Sequence, residues 1–305
     1  MFAAVLTTLL FAASALCAHR TATRLGGVEA NFWRVLSAFV FLAIWANCFG
    51  TGTGGAAFWI FIWSGLAGIG LGDTAYFQAL PRLGSRLTVL LTQCLVAPCA
   101  IVIEWLWLGT ELGARQLLCV AVILMGVIVA LAPGEHMKIG LRRFWAGIVA
   151  TVVAAVGGAL GAVLSRKAYF VAHAAGEHPD PGTTGYQRVI GGLLVLGVVF
   201  LLVKWRHARR RGDDAQMIDS VSGRDKWNVW PWVLVNSLAG QTVGVTCMQW
   251  ALENTPTGIV TAIIATTPIV MLPLARIFEG EKITIRSLAG GVVAVVGVVG
   301  LTLWH

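Results

Sequence analysis

Charge is what this sequence has least of. Asp, Glu, Lys and Arg make up 12% of its 305 residues, about half the share of roughly 25% found in soluble domains. The stretch from Val35 to Gly72 carries none. A chain this poor in charge and rich in apolar blocks is neither disordered nor an ordinary soluble enzyme. Cysteine is also sparse in the sense that matters. Cys17, Cys48, Cys94, Cys99, Cys119 and Cys247 lack metal-ligand spacing, and most sit inside apolar runs. They read as buried, inert thiols, which excludes a disulfide-stapled miniprotein and a zinc module. What fills the space is 57% hydrophobic residues, with 36 Gly and 13 Trp. Membrane helices tolerate Gly and place Trp at their interfaces. The composition is that of a polytopic helical membrane protein.

A helix needs about 20 apolar residues to cross a bilayer core. Ten segments qualify: Met1–Cys17, Phe32–Phe49, Ala56–Leu80, Leu87–Leu108, Gln116–Ala132, Phe144–Leu164, Tyr186–Trp205, Trp227–Leu252, Gly258–Phe278 and Leu288–Trp304. The first lacks the positive n-region of a signal peptide and is counted as a span. The blocks are too long for barrel strands and do not alternate. The connections are short except for a polar loop over 206–226, which holds charges of both signs and reads as a solvated linker. The net charge of +8 then reports orientation in the bilayer; no nucleic-acid partner is expected.

Two segments match at an offset of 172: Leu66–Leu80 lies over Leu238–Leu252, with seven identities in fifteen positions. The identities include Gly68/Gly240, Gly72/Gly244 and Thr74/Thr246. Two residues out of register, Pro98 falls on Pro268 and Glu111 on Glu281. The expected architecture is therefore all-α, ten transmembrane helices in two five-helix repeats, residues 1–133 and 134–305. An odd number of spans per repeat inverts the second copy in the membrane. Secondary transporters are built this way, with the substrate site near the midplane between the halves.

At these residues the chain resembles the drug/metabolite transporter superfamily in its ten-helix EamA-type form. Ala79-Leu80 and Ala251-Leu252 resemble the Ala-Leu that closes the third and eighth helices. Pro98 and Pro268 resemble the Pro of the fourth and ninth. Gly109-Thr110-Glu111-Leu112 and Glu279-Gly280-Glu281-Lys282 resemble the Gly-Glu signature that follows them. Asn31-Phe32-Trp33-Arg34 resembles the start of the second helix. The first and sixth helices lack the family's Trp-Gly pair, and the loop after the second helix, Gly50–Gly55, is not basic. The resemblance implies transport of small organic solutes without a bound cofactor, and does not carry a substrate class.

Orientation sets two arguments against each other. With each Lys and Arg assigned to its nearest loop, 18 of 22 fall in odd-numbered loops, leaving Arg115, Arg166, Lys167 and Arg188 on the even side. Basic loops stay cytoplasmic, which puts both termini outside. The resemblance implies cytoplasmic termini.

Among candidate site residues, Asp73 comes first. It lies seven residues before the end of the third span, and an ionised carboxylate there costs about 2.5–3.5 kcal/mol on insertion scales for a central position. It is either a proton-coupling or substrate-cation site, the ion-pair partner of Arg34 or Arg82, or a proton-bearing carboxyl bonded to backbone. Its repeat mate is Val245, so the shared fold does not require the charge. Tyr76, Gln93, Gln241, Gln249 and Thr267 are further cavity candidates, as are Gln78, Thr92, Thr246 and Thr266. Gln93 and Thr267 lie close to Pro98 and Pro268, where a proline frees a carbonyl and bends the helix. Glu104 is expected to snorkel to the interface. Glu111 and Glu281 are expected to cap helix starts, and Trp250 is expected to pack. The motifs Gly68-x-x-x-Gly72, Gly157-x-x-x-Gly161 and Gly240-x-x-x-Gly244 read as close helix contacts. The Gly65–Gly72 run is no nucleotide fingerprint, since it lies inside a span. His173 to His178 has the wrong spacing for a zinc helix, and Gly176 and Pro179 make it a loop, so no metal is expected.

Together these readings give a multi-pass secondary transporter in the plasma (inner) membrane, moving a small organic solute by alternating access, with protons as a coupling ion. A lipid-linked precursor flippase, or its subunit, shares the fold family and is the alternative. An intramembrane enzyme is disfavoured: no span carries a His, Asp73 is the one in-span Asp, and paired catalytic groups are absent. The partners are the lipid bilayer and a small molecule, and ten helices suffice for a monomer.

Overall fold

The computed structural model describes residues 1–131, 140–211, 229–271, 273 and 285–303. Among these residues every regular element is helical. The helices are α1 (Phe2–Leu25), α2 (Gly27–Cys48), α3 (Phe58–Leu83), α4 (Ser85–Leu108), α5 (Ala114–Leu131), α6 (Leu141–Ala174) and α7 (Pro181–Arg211). Then come α8, which runs through Trp230–Asn236, Ser237–Thr242 and Val243–Asn254, α9 (Thr257–Ile264) and α10 (Ile285–Leu303). Among the described residues six helices are long and apolar enough to cross a membrane, and Ala114–Val129, Thr257–Met271 and Ala289–Gly300 are shorter apolar helices. The segment around Glu281 and most of the 206–226 loop lie outside the described residues.

The bundle is inverted relative to a soluble protein: large apolar side chains face outward. Trp59, Leu118, Val149, Leu201 and Val296 are all exposed, which suits lipid contact. The interior is built of small residues, with Ala4, Ala12, Ala38, Ala97, Ala155, Ala159 and Ala262 fully buried. Small side chains let helix backbones approach closely where no hydrophobic drive between helices exists.

Two of the glycine motifs meet each other. A Cβ on Gly161 would lie 2.8 Å from the Gly68 Cα, and one on Gly157 would lie 3.0 Å from the Gly72 Cα. The α3–α6 seam is therefore backbone against backbone. Ser64 on α3 closes it by donating to the Gly161 carbonyl at 2.6 Å.

Helix packing follows a regular scheme. α2 packs on α7, α4 on α9, and α5 on α10. α3 packs on α6 and α7, while α8 packs on α1 and α2. Two helices are locally underwound into π geometry, α3 over Leu66–Asp73 and α8 over Ser237–Thr242. Insertions of this kind recur at functional sites.

Helix ends lie further out than the apolar blocks. α6 has 34 residues and α7 has 31. α7 starts at Pro181 because Asp180 caps it, accepting from the Gly182 and Thr183 N–H groups at 3.0 Å each. Trp45, at the far end of α2, donates to the same Asp180 oxygen at 2.9 Å. Burial pushes the Asp180 carboxyl upward, but these donors and the Thr183 hydroxyl outweigh it and hold it below the usual range.

The longer helices change the charge assignment. Arg34, Arg166 and Arg188 are buried inside the bundle and are not loop charges. They lie well inside α2, α6 and α7, respectively. The even side is left with Arg115 and Lys167, so the loop bias is steeper than the sequence count suggests. The same extensions place His19 on α1 and His173 on α6, although the apolar blocks themselves contain no His.

The seam gives a direct test. Gly161→Leu should destabilise the solubilised protein by about 1–3 kcal/mol, the usual cost of overpacking, read as a fall in melting temperature. Gly197→Leu on α7, where a Cβ meets nothing within 4 Å, should leave it nearly unchanged.

Candidate functional site

The described helices enclose a cavity of about 170 Å³ at the centre of the bundle. Its walls come from α1, α2, α3, α4, α6, α7, α8 and α9. Both π-helical segments contribute: Gly68, Ile69, Gly72 and Asp73 from α3, and Gly240 and Gln241 from α8. Of the residues singled out in the sequence, Asp73, Tyr76, Gln93, Gln241, Thr267 and Arg34 all line it.

Asp73 closes the α3 π-helix, and its carboxylate meets the Arg34 guanidinium of α2 at 2.5 Å. Of the two cations the sequence offered, the structure selects Arg34. Arg82 instead bonds back to Gln78 on its own helix. Arg34 also donates to Asn31 Oδ1 at 3.0 Å and lies 4.8 Å from the centre of the Phe77 ring. The Asp73 side chain remains 31% accessible, so the pair is held on one side and open to the cavity on the other.

Thr267 and Pro268 act together. Proline lacks an N–H and its ring clashes with the carbonyl four residues back, here that of Ile264. α9 ends at Ile264, and the Thr267 hydroxyl donates to the Ile264 carbonyl at 2.5 Å. Ile264 and Thr267 both reach the cavity. Pro98 differs: α4 runs through it from Ser85 to Leu108 without interruption. Bends were expected at both prolines; the helix is interrupted at Ala265–Thr266, just before Pro268, and is continuous through Pro98.

Gln249 does not line the cavity. It is buried behind it, with its amide 3.2 Å from the Ser165 hydroxyl. With its oxygen turned toward α7, it accepts from Arg188 Nε at 3.2 Å. Trp250 packs edge-on against Phe2 at the periphery. Glu111 is exposed before α5, where the Gln116 side chain accepts the Gly113 N–H at 2.9 Å.

Glu104 corrects an expectation outright. It does not snorkel; it is 2% exposed. Its carboxylate pairs with Arg166 of α6 at 2.8 Å and accepts the Gly258 N–H at 3.2 Å. Arg166 in turn donates to the Leu252 carbonyl at 3.2 Å. One ion pair thus ties α4 and α6 to both sides of the α8–α9 turn.

Two buried arginines escaped the sequence reading. Arg166 and Arg188 were placed in loops because the spans were drawn too short. The signals were present. Asp180-Pro181 is a helix start, with a capping Asp followed by Pro in the first turn. Tyr186-Gln187-Arg188-Val189-Ile190 also repeats the pattern of Phe32-Trp33-Arg34-Val35-Leu36.

His173 and His178 gain a neighbour from α8 that local spacing cannot reveal. His173 Nε2 lies 3.4 Å from Glu253 Oε1, and potential ligand atoms of the three residues fall within 4.8 Å of one another.

Comparison with known proteins agrees with this architecture. The model of the EamA-like transporter family matches residues 1–132 and 145–303, and the chain belongs to that family. It is a multi-pass integral membrane protein of a transporter family, within the drug/metabolite transporter superfamily. No curated protein matches it. Among solved structures, one described only as a crystal structure of a protein is similar over all of this chain and 97% of its own. The TM-score is 0.69 at 15% identity, which is a likeness of fold.

The Glu104–Arg166 pair can be tested by unpairing it. Glu104→Ala leaves a buried guanidinium without its counter-charge and should cost about 3–5 kcal/mol, seen as a lowered melting temperature. The double variant Glu104→Leu/Arg166→Met should recover most of the loss.

Proposed function

We propose that the chain is a secondary transporter that carries a small organic solute by alternating access. The solute binds in the central cavity, and protons couple through Asp73. Residues 1–133 and 134–305 act as two inverted five-helix repeats of a ten-span bundle in the plasma (inner) membrane.

One observation carries the reading: the cavity is walled by helices of both halves, and among the described residues the one carboxylate on its wall, Asp73, sits on a local distortion of α3. The packing scheme supports it. Exchanging α1–α5 with α6–α10 leaves that scheme unchanged: α2–α7, α4–α9 and α5–α10 map onto themselves, and α3–α6 maps onto α8–α1. The π-helical segments also coincide with the duplicated sequence, since Leu66 pairs with Leu238. A bundle whose halves pack on each other through matched helices can rock about the shared site. Asp73 can bind a proton when the rocking separates it from Arg34, because the two stand on different helices.

The test is uptake by proteoliposomes under an imposed pH gradient. Asp73→Asn should lose about tenfold of the gradient-driven component, the scale of one lost charge-assisted hydrogen bond. A variant with full flux and an unchanged pH profile would remove Asp73 from coupling. Absence of flux for solutes of every charge would remove the transporter reading itself.

Loop charge places the odd-numbered loops in the cytoplasm. Cys48, an exposed free thiol at the far end of α2, then lies on the outer face. A membrane-impermeant maleimide should label it in intact cells, with Cys48→Ser as control. Labelling only after permeabilisation reverses the orientation.

A further inference from the structure

The charge inside the cavity does not balance, and this bears on the solute. The inference rests on the cavity being the transport site proposed above. Three charged side chains line it: Arg34, Asp73 and Arg188. Asp73 is bound to Arg34 at 2.5 Å. Arg188 is 4% exposed, and among the described residues no carboxylate lies within ion-pair distance of it. Its side-chain contact is the neutral amide of Gln249. The cavity therefore holds one guanidinium more than it has carboxylates.

Duplication accounts for the excess. Arg34 stands seven positions after Gly27, the first residue of α2, and Arg188 stands seven positions after Pro181, the first residue of α7. The residues around them match in kind, Phe32-Trp33-Arg34-Val35-Leu36 against Tyr186-Gln187-Arg188-Val189-Ile190. The cation occurs in both halves. The carboxylate occurs in one, because the counterpart of Asp73 is Val245, which also lines the cavity. The first half carries Arg with Asp, and the second carries Arg with Val.

Arg188 feels the charge of Asp73 without touching it, while Arg34 holds that carboxylate; two buried cations sharing one carboxylate are costly in a membrane interior. A solute with one negative charge removes that cost on entering. A neutral solute leaves it, a cation meets like charge, and a doubly charged phosphate ester overshoots. Arginine's planar fork also matches a carboxylate in a bidentate way. Gly68 lies across from Arg188, where a Cβ would sit 3.1 Å from Arg188 Nη2, so the guanidinium is not covered by a side chain there. Phe11, Tyr76 and Met248 supply apolar wall for the rest of a ligand.

We propose that the cavity selects a small amphipathic organic monoanion, its carboxylate on Arg188 and its apolar body against Phe11, Tyr76 and Met248. Val245 in place of a second carboxylate sets this preference.

The test uses the full chain, purified in detergent, and pairs of equal shape: phenylacetate with phenylacetamide, and hexanoate with hexanamide. Hexylamine and hexyl phosphate complete the charge series. Ligand-dependent thermal stabilisation gives the affinities. Each acid should bind at least about tenfold more tightly than its amide, the scale of a charge-assisted hydrogen bond. Val245→Asp, which supplies the missing counter-charge, should bring that ratio close to one. Arg188→Gln should do the same, and Arg188→Lys should retain part of it. If the variants fail to fold, the acid-to-amide ratio of the unaltered chain decides alone. Equal binding of acid and amide, preference for the amine or the phosphate, or no acid binding at millimolar concentration overturns the proposal. So does an unchanged ratio in a folded Val245→Asp. Flux of neutral or cationic solutes with acids inert would reject the anion site and leave the transporter reading standing. Acid binding in detergent without any flux would do the reverse.

Discussion

An ionised side chain at the centre of a membrane bundle must find its counter-charge within the protein, because lipid offers none. The contact between Asp73 and Arg34 is the interaction on which the interior depends. It fixes α2 against α3, and Asn31 and Phe77 hold the guanidinium in place. The contact sits where α3 leaves regular α geometry. A π-helical turn shifts side chains around the axis relative to an α-helix, so Leu66–Asp73 can point its last carboxylate inward while Leu71 remains on the exposed face. The pair and the distortion belong together: one supplies the charge, the other aims it.

The Glu104–Arg166 pair solves the same problem for another purpose. Its two side chains are almost fully covered, and each also reaches a backbone group beside the α8–α9 turn. No wall of the cavity is formed by either residue. This pair is a clamp across helices, whereas Asp73 keeps a face open to the cavity. Burial separates the two roles, since both acids are paired with arginine at comparable distance.

The frame of this fold was legible from composition and block length. Hydrophobic runs of twenty residues allow few structures other than helices in lipid, so fold class and helix order follow directly. Small-residue motifs marked Gly68–Gly72 and Gly157–Gly161 as places of close helix contact, but that the two meet each other is visible only in the structure. Asp73, Tyr76, Gln93, Gln241 and Thr267 could be named as cavity residues because polar groups inside an apolar run must face protein. Helix ends were harder. Apolar blocks mark where lipid is, while helices continue into polar sequence as long as capping and packing support them. α7 begins five residues before its apolar block because Asp180 caps it, and that shift carried Arg188 from a loop into the cavity wall. Glu104 was misread for a related reason. Its partner Arg166 is 62 positions away in the sequence, and hydropathy is blind to a long-range ion pair.

The two prolines show how far duplication constrains detail. Pro98 and Pro268 occupy corresponding places in sequence, yet α4 passes through the first and α9 ends before the second. The difference lies in what receives the freed carbonyl. Next to Pro268 stands Thr267, whose hydroxyl donates to the Ile264 carbonyl across the two-residue interruption at Ala265–Thr266, after which the helix resumes. Next to Pro98 stands Ala97, which has no hydroxyl to offer. Charge differs between the matched segments as well, Asp73 standing in one where Val245 stands in the other. Packing geometry can be duplicated because glycine and alanine contacts are indifferent to chemistry. On the reading proposed above, of two repeats around one solute site, an asymmetric solute draws its specificity from positions where the matched segments differ, such as Asp73 and Val245.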